Sequence, residues 1–236
     1  MVRFSAEDFA SASVAFDFAA RLVQVEPDRA WIESCIQEGL FDAAPFGQDD
    51  GAVADGLALM RRWCADAASD IDESVGSLQR EWLRLFIGLG IPEASINESY
   101  YTEPNSTMFG QSTLSVRAAY RTWGLENERK ASEPDDTLGI MLAFCAHLMR
   151  ESLRLEESGD EEASRKALEA LEALEDFLVK HMLPWVSAWR FLVKQHAKTD
   201  YYRGVGELVF GLERSCAVRF GIAFNEEDGS FSYNRS

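Results

Sequence analysis

EEASRKALEALEALEDFLVKH, residues 161–181, repeats with the period of an α-helix. Ala163, Ala167, Leu168, Leu171, Leu174 and Leu178 recur at spacings of three and four, so they share one face, and charges cover the other. Ser158 and Glu161 have the spacing of a capping box that would start this helix. Lys180 and His181 stand at its end, where the helix dipole favours positive charge.

The same period extends outward along the chain. It predicts helices over 5–25, 28–39, 55–68, 75–89, 113–123, 134–158, 184–195 and 200–220. Gly124 is suited to the left-handed stop of the fifth of these. No sustained two-residue alternation and no Asn-Gly turn occurs, so strands are not expected. Gly204-Val205-Gly206 lies inside a helical pattern and reads as a site of close helix packing rather than a phosphate loop. The expectation is an all-α, single-domain helical bundle over residues 1–220, followed by a polar C-terminal tail over 221–236.

One region breaks the pattern. Residues 88–112, GLGIPEASINESYYTEPNSTMFGQS, carry two prolines and several Gly, Ser, Thr and Asn. An ordinary connection between helices is about two to eight residues. This long irregular loop also holds Tyr100, Tyr101, Met108 and Phe109, which points to a functional segment.

The totals exclude several classes. The chain has 236 residues and is 47% hydrophobic, enough to bury a sizeable core. It carries 23 basic against 40 acidic residues, a net charge of −17. Nucleic acid and anionic membrane surfaces need clustered cations, so the balance favours a cationic partner instead. No stretch of about 18 apolar residues suggests a membrane span. Acidic residues interrupt the N-terminus, so it does not read as a secretory signal. Cys35, Cys64, Cys145 and Cys216 lie far apart and read as reduced, buried thiols of a cytoplasmic protein.

Three carboxylates flank Pro134 in ASEPDDTLG, residues 131–139, just before an apolar run. Glu133, Asp135 and Asp136 suit the first turn of a helix, where unpaired N–H groups need acceptors. They suit a cationic partner equally well. A metal site would need further ligands at defined spacing, and His147, His181 and His196 form no such pattern, so no metal and no cofactor is expected. Trp185 and Trp189 are four residues apart and read as core. Trp82, Leu85, Phe86 and Leu89 form a bulky apolar stripe that leads into the irregular loop. Core packing accounts for this stripe. A groove built from stripe and loop, edged by the acidic trio, would instead suit a peptide with positive residues beside an apolar run.

An ordered set of motifs then resembles the TorD/DmsD family. The set comprises W-x-x-L-F-x-G (Trp82 to Gly88), F-G-Q-S-T-L-S-V-R (Phe109 to Arg117), E-P-D-D (Glu133 to Asp136), F-L-x-x-H-M-L-P-W (Phe177 to Trp185) and D-Y-Y-R-G-V-G-E-L (Asp200 to Leu208). The set covers about residues 80–220. The resemblance implies a cytoplasmic, all-helical, non-enzymatic chaperone. Such a protein binds the twin-arginine leader of a molybdoenzyme precursor of the DMSO/TMAO reductase type until the cofactor is inserted, and so delays export. It implies peptide-binding roles for Trp82, Leu85, Phe86, Tyr101, Phe109, Glu133, Pro134, Asp135, Asp136 and Thr137. Asp135, Asp136 and Glu133 would receive guanidinium groups, while Trp82, Leu85, Phe86 and Tyr101 would bury the apolar part. Thr137 departs from the His that usually follows in the family motif, and residues 105–107 depart from its loop element. Monomer and domain-swapped dimer both suit such a bundle. The rival readings are a helical adaptor for a client without a twin-arginine signal, and a metal-dependent hydrolase using the three carboxylates.

Overall fold

Several helices begin where a short polar side chain accepts an orphan N–H. In the computed structural model, which describes residues 4–88, 90–103, 109–129, 133–158 and 160–233, α1 (Ala6–Gln24) starts with a full capping box between Ser5 and Asp8. Asp28 caps α2 (Arg29–Gln37), Asp50 caps α3 (Gly51–Ala67) and Asp70 caps α4 (Ile71–Trp82). A π-helical turn, Leu83–Ile87, extends α4 and stops at Gly88 (φ 69°). The short α5 (Glu98–Thr102) and then α6 (Gln111–Thr122) follow, with Gly124 in the left-handed region beyond. α7 (Leu138–Ser158), α8 (Glu161–Phe177), a second π-helical turn (Leu178–Met182), α9 (Val186–His196) and α10 (Asp200–Arg219) complete the bundle.

α1 lies along α7, which also packs on α8, and α10 lies along α3. Most of α10 from Tyr201 to Glu213 is buried. The α3–α10 approach needs glycine. A Cβ on Gly56 would lie 2.8 Å from both the Gly204 carbonyl oxygen and the Leu208 nitrogen, so the two backbones touch there. That is the close packing expected of the Gly-Val-Gly segment. Trp185, Trp189, Tyr201, Tyr202, Phe86 and Leu78 fill the centre. Among the described residues, no helix is long and apolar enough to cross a membrane.

Three expectations are corrected. α8 is capped by Asp160, whose carboxylate accepts from the Ala163 N–H, and Ser158 belongs to α7. Its buried face runs through Ala163, Ala167, Ala170, Leu174 and Phe177, which turns Leu168 to solvent. The tail is not merely solvated either: β1 (Ile222–Asn225) and β2 (Ser230–Tyr233) form an antiparallel hairpin with Phe224 paired to Phe231. Both rings pack on Phe210 of α10, with centroids 4.9 and 6.0 Å away. Two strands of four residues are too short for their alternation to stand out in sequence, and it is the contact with α10 that supports them.

Candidate peptide-binding groove

The irregular loop is stitched to its surroundings by backbone bonds. The Ala94 N–H donates to the Leu85 carbonyl (2.8 Å), which folds residues 90–95 back over the first π-helical turn. Asn97 and Thr137 form an antiparallel bridge, flanked by Glu98 N–H to Asp136 O (3.0 Å) and Leu138 N–H to Ile96 O (2.7 Å). The α4 end, the loop and the acidic corner are thereby held edge to edge around an open groove of about 560 Å³.

One wall is apolar. Trp82, Phe86 and Ile87 come from α4 and its π-helical turn, and Ile91 with Pro92 from the loop. Trp82 is fixed by its indole N–H on the Val23 carbonyl, 3.0 Å away. The extra residue in the π-turn re-aims the stripe: Leu85 is fully buried beneath the groove while Ile87 emerges. Ile91 is 82% exposed, an unusual position for a large aliphatic side chain between Gly90 and Pro92. The rest of the lining is mostly polar: Gln24 at the end of α1, Asn97, Ser99 and Tyr100 from the loop, and Arg129, Glu133, Pro134 and Thr137 from the acidic corner.

The three carboxylates part company here. Asp135 is 1% exposed and its Oδ2 accepts both Nε and Nη2 of Arg117, at 2.8 and 2.6 Å. Asp136 is 0% exposed; its Oδ1 accepts from the Thr113 hydroxyl (2.6 Å) and its Oδ2 from the Ser99 N–H (3.0 Å). Asp136 thus supports the start of α5 rather than α7. The expectation that Asp135 and Asp136 receive a partner's guanidinium is corrected on this geometry, because both are engaged inside the protein. Glu133 is the member of the trio that lines the groove, with Gln24 donating to one carboxylate oxygen. Thr137 lines it too, but its hydroxyl donates to the Pro134 carbonyl (2.7 Å).

The aromatic expectations also divide. Tyr101 stacks on Trp185, ring centroids 5.0 Å apart, and its hydroxyl donates to the Ser95 carbonyl (2.8 Å). Burial pushes its phenol above the usual range, so it stays a neutral support. Its neighbour Tyr100 lines the groove instead. Phe109 is half-exposed with φ 63°, a strained value for a bulky residue, and does not line the groove. Leu89 and residues 104–108, including Met108, lie outside the described residues. Gln24, Ile87, Ile91, Asn97 and Arg129 were not legible as site residues. Only Ile91 carries a local signal, an aliphatic side chain held between two helix breakers.

A buried polar cluster backs the polar lining. His181 Nδ1 lies 3.0 and 3.2 Å from the Glu98 carboxylate oxygens, and its Nε2 lies 3.3 Å from the Ser115 hydroxyl. Burial pushes the Glu98 carboxyl above its ordinary value, against the pull of the His181 hydrogen bond. The order Ser–His–Glu has the spacing of a nucleophilic triad. Ser115 sits inside α6, however, where the neighbouring N–H groups are committed to the helix rather than turned toward an oxyanion. The cluster ties α5, α6 and the second π-helical turn together. Among the described residues, no group of three or more His, Cys, Asp or Glu is placed to hold a metal ion. A larger concavity of about 760 Å³ near α7 and α8 is lined by charged side chains, including the Arg154–Glu151 and Lys166–Glu162 pairs, together with Trp123, Leu155, Ala163 and Ala173.

Comparison with known proteins agrees with this architecture. The family described as nitrate reductase delta subunit matches residues 48–190, more than half of the chain. The Tat proofreading chaperone DmsD of Salmonella paratyphi A is 29% identical over 132 residues, 56% of this chain and 56% of its own length. The chaperone protein TorD of Vibrio cholerae is 28% identical over 151 residues, 64% of this chain and 60% of its own length. The chain thus spans little more than half the length of the curated relatives it matches. Matched over residues 48–190, most of its bundle, the chain belongs to this delta-subunit family, the TorD/DmsD family.

Proposed function

We propose that this protein is a cytoplasmic maturation chaperone, without catalytic activity, that binds the twin-arginine leader of a molybdoenzyme precursor until its cofactor is in place. The observation that carries the reading is the groove itself. The groove combines the apolar Trp82, Ile87 and Ile91 with a polar lining whose acid is Glu133. A leader of this type offers guanidinium groups followed by an apolar run, and the two parts of the lining match these in kind. The relatives named proofreading chaperone and chaperone support the class. Burial of one leucine-sized side chain against the apolar wall contributes about 1.5–3 kcal/mol, and a charge-assisted bidentate contact to Glu133 about the same. Asp135 and Asp136 act at one remove, by holding the corner that presents Glu133.

A second reading keeps the groove but gives it a client without a twin-arginine signal. Thr137, in place of the titratable histidine of the family motif, favours it, since a hydroxyl that donates to its own turn offers less to a charged ligand. The hydrolase reading would require Asp135 and Asp136 to be available, and both are committed to Arg117, Thr113 and Ser99. The test is calorimetric titration of the protein with leader peptides of molybdoenzymes, each paired with an Arg-Arg to Lys-Lys version. Binding that weakens with lysine and with Ile91→Ser supports the leader reading. Equal binding of both versions would favour the second reading, and absence of binding to folded protein would sink the first.

A further inference from the structure

Two parts of the groove are tied to the same end of α1. The Trp82 indole N–H donates to the Val23 carbonyl (3.0 Å), and the side-chain amide of Gln24, through Nε2, donates to Glu133 Oε1. Gln79 Nε2 adds a bond to the Pro27 carbonyl (3.0 Å), just beyond. Gln24 is the last residue of α1, since Val25 is already extended (φ −111°, ψ 126°). Its reach to Glu133 needs a bare patch on α7. A Cβ on Gly139 would lie 2.5 Å from both Cβ and Oε1 of Gln24 and 3.1 Å from the Ala20 carbonyl oxygen, so the amide passes over a residue that has no side chain. The two ends of that amide differ in their surroundings. Nε2 meets a carboxylate, which when ionised only accepts, whereas Oε1 is buried without a hydrogen-bond partner among the described residues. A buried carbonyl left unpaired costs stability, so what the site gains from this side chain is its donor end.

We infer that Gln24 is a positioning residue for arginine recognition: it aims the Glu133 carboxylate so that a ligand's guanidinium, rather than an ammonium, is the cation that fits. The inference rests on the leader reading above and deepens it. The backbone fixes where the Glu133 side chain starts. Its N–H donates to the Arg129 carbonyl (2.8 Å), and Asn127 Nδ2 donates to its carbonyl (3.1 Å). Gln24 fixes where that side chain ends. A guanidinium binds a carboxylate through two parallel N–H···O bonds, which demands a set carboxylate plane; an ammonium is a point charge and demands only proximity. One donor on Oε1 leaves that oxygen a further lone pair, and a neutral donor does not cancel the carboxylate's charge. Asp135 is the contrast in the same corner: its donor is the Arg117 guanidinium, at 2.6 and 2.8 Å, which does cancel it. Because Val23 and Gln24 are adjacent, one helix end also registers the acid against Trp82.

The experiment is calorimetric titration of the full chain as wild type, Gln24→Met, Glu133→Gln and the double variant, with urea unfolding to confirm that each is folded. Gln24→Met keeps the length of the side chain and removes its donor. The probes are a twin-arginine leader peptide and N-acetyl-Arg-Arg-amide, each paired with its Lys-Lys version. Gln24→Met is expected to weaken binding of both arginine probes about 3- to 10-fold and of the lysine versions by less than about 1.5-fold, so that the preference for arginine shrinks. In the Glu133→Gln background the same change is expected to alter affinity by less than about 1.5-fold. Gln24→Asn, whose amide is a methylene short of Glu133, is a second variant expected to repeat the pattern. Equal weakening of arginine and lysine probes overturns the inference, because Gln24 would then only hold the groove together. An unchanged preference overturns it as well, and so does a loss that persists without Glu133. If the dipeptide follows the expected pattern while no leader binds, the leader reading fails and the role of Gln24 stands. If neither probe binds the folded wild type, both fall.

Discussion

Glu213 provides a test of the interior that is independent of any ligand. It lies on α10, is 0% exposed, and neither carboxyl oxygen has a hydrogen-bond partner among the described residues. Burial pushes its carboxyl well above the ordinary value of 4.5, and its charge would raise the buried thiols of Cys145 and Cys216. In the unfolded chain Glu213 loses its proton near the ordinary value, while in the folded protein it keeps it. Over that window the native state binds more protons than the unfolded state, so stability falls as pH rises. The contribution is fully present below the unfolded pKa and is lost on the way up to the folded one. Each pH unit between the unfolded and the folded pKa costs about 1.4 kcal/mol, against a domain total of about 5–15. Glu213→Gln keeps the shape of the neutral acid and cannot ionise. Its advantage over the wild type in urea unfolding, followed by circular dichroism, is expected to grow by up to about 1.4 kcal/mol per unit between about pH 5.5 and about pH 7.5. That range stays above the sequence pI of about 4.6, where the uncharged protein would precipitate. Glu213→Met is expected to be at least as stable as the wild type, with the same rising advantage. A difference that stays constant with pH would refute the reasoning, because it would mean the carboxyl titrates alike in both states. A wild type that gains on the variant as pH rises would show an ionised, partnered Glu213.

The corner residues separate by role. Glu133→Gln is expected to weaken leader binding roughly 10-fold with little change in unfolding midpoint, whereas Asp135→Asn strands the Arg117 charge and is expected to cost about 3 kcal/mol of stability; calorimetry and urea unfolding on both variants check this. Ile91→Ser, at a side chain 82% exposed, is expected to shift stability by less than about 0.5 kcal/mol yet reduce leader affinity about 10-fold. Gly56→Ala drives a methyl into the α10 backbone and is expected to lower stability by about 1–3 kcal/mol; an unchanged melting temperature would contradict the close approach. Burial pushes Cys35 up to about 12 and Cys64 up to about 11, so at about pH 8 the folded protein is expected to react with iodoacetamide about 100-fold more slowly than a free thiol, as measured by mass spectrometry.

The helices were legible because their cause is local. A three- and four-residue apolar period, a capping Ser or Asp, and a glycine stop are all contained within one segment, and α1, α2, α7 and α10 appear within a few residues of where those signals place them. Several motif residues also meet in space: Trp82, Phe86, Glu133, Pro134 and Thr137 line one groove. What the sequence could not assign was the role of each side chain within it. Asp135 and Asp136 read as twins of Glu133, yet Arg117 from α6 and Ser99 from α5 reach them first, so they become internal supports. Tyr100 and Tyr101 read as equivalents until Trp185 claims the second. The hairpin over 222–233 depends on Phe210 to hold its two phenylalanines. The amino-acid order by itself determined the helical period, the caps, the acidity and the motif order, because these depend on neighbours a turn or so away. Exposure, hydrogen-bond partners and the aim of each groove side chain were decided by tertiary structure alone, because they depend on residues up to a hundred or more positions distant being brought within a few ångströms.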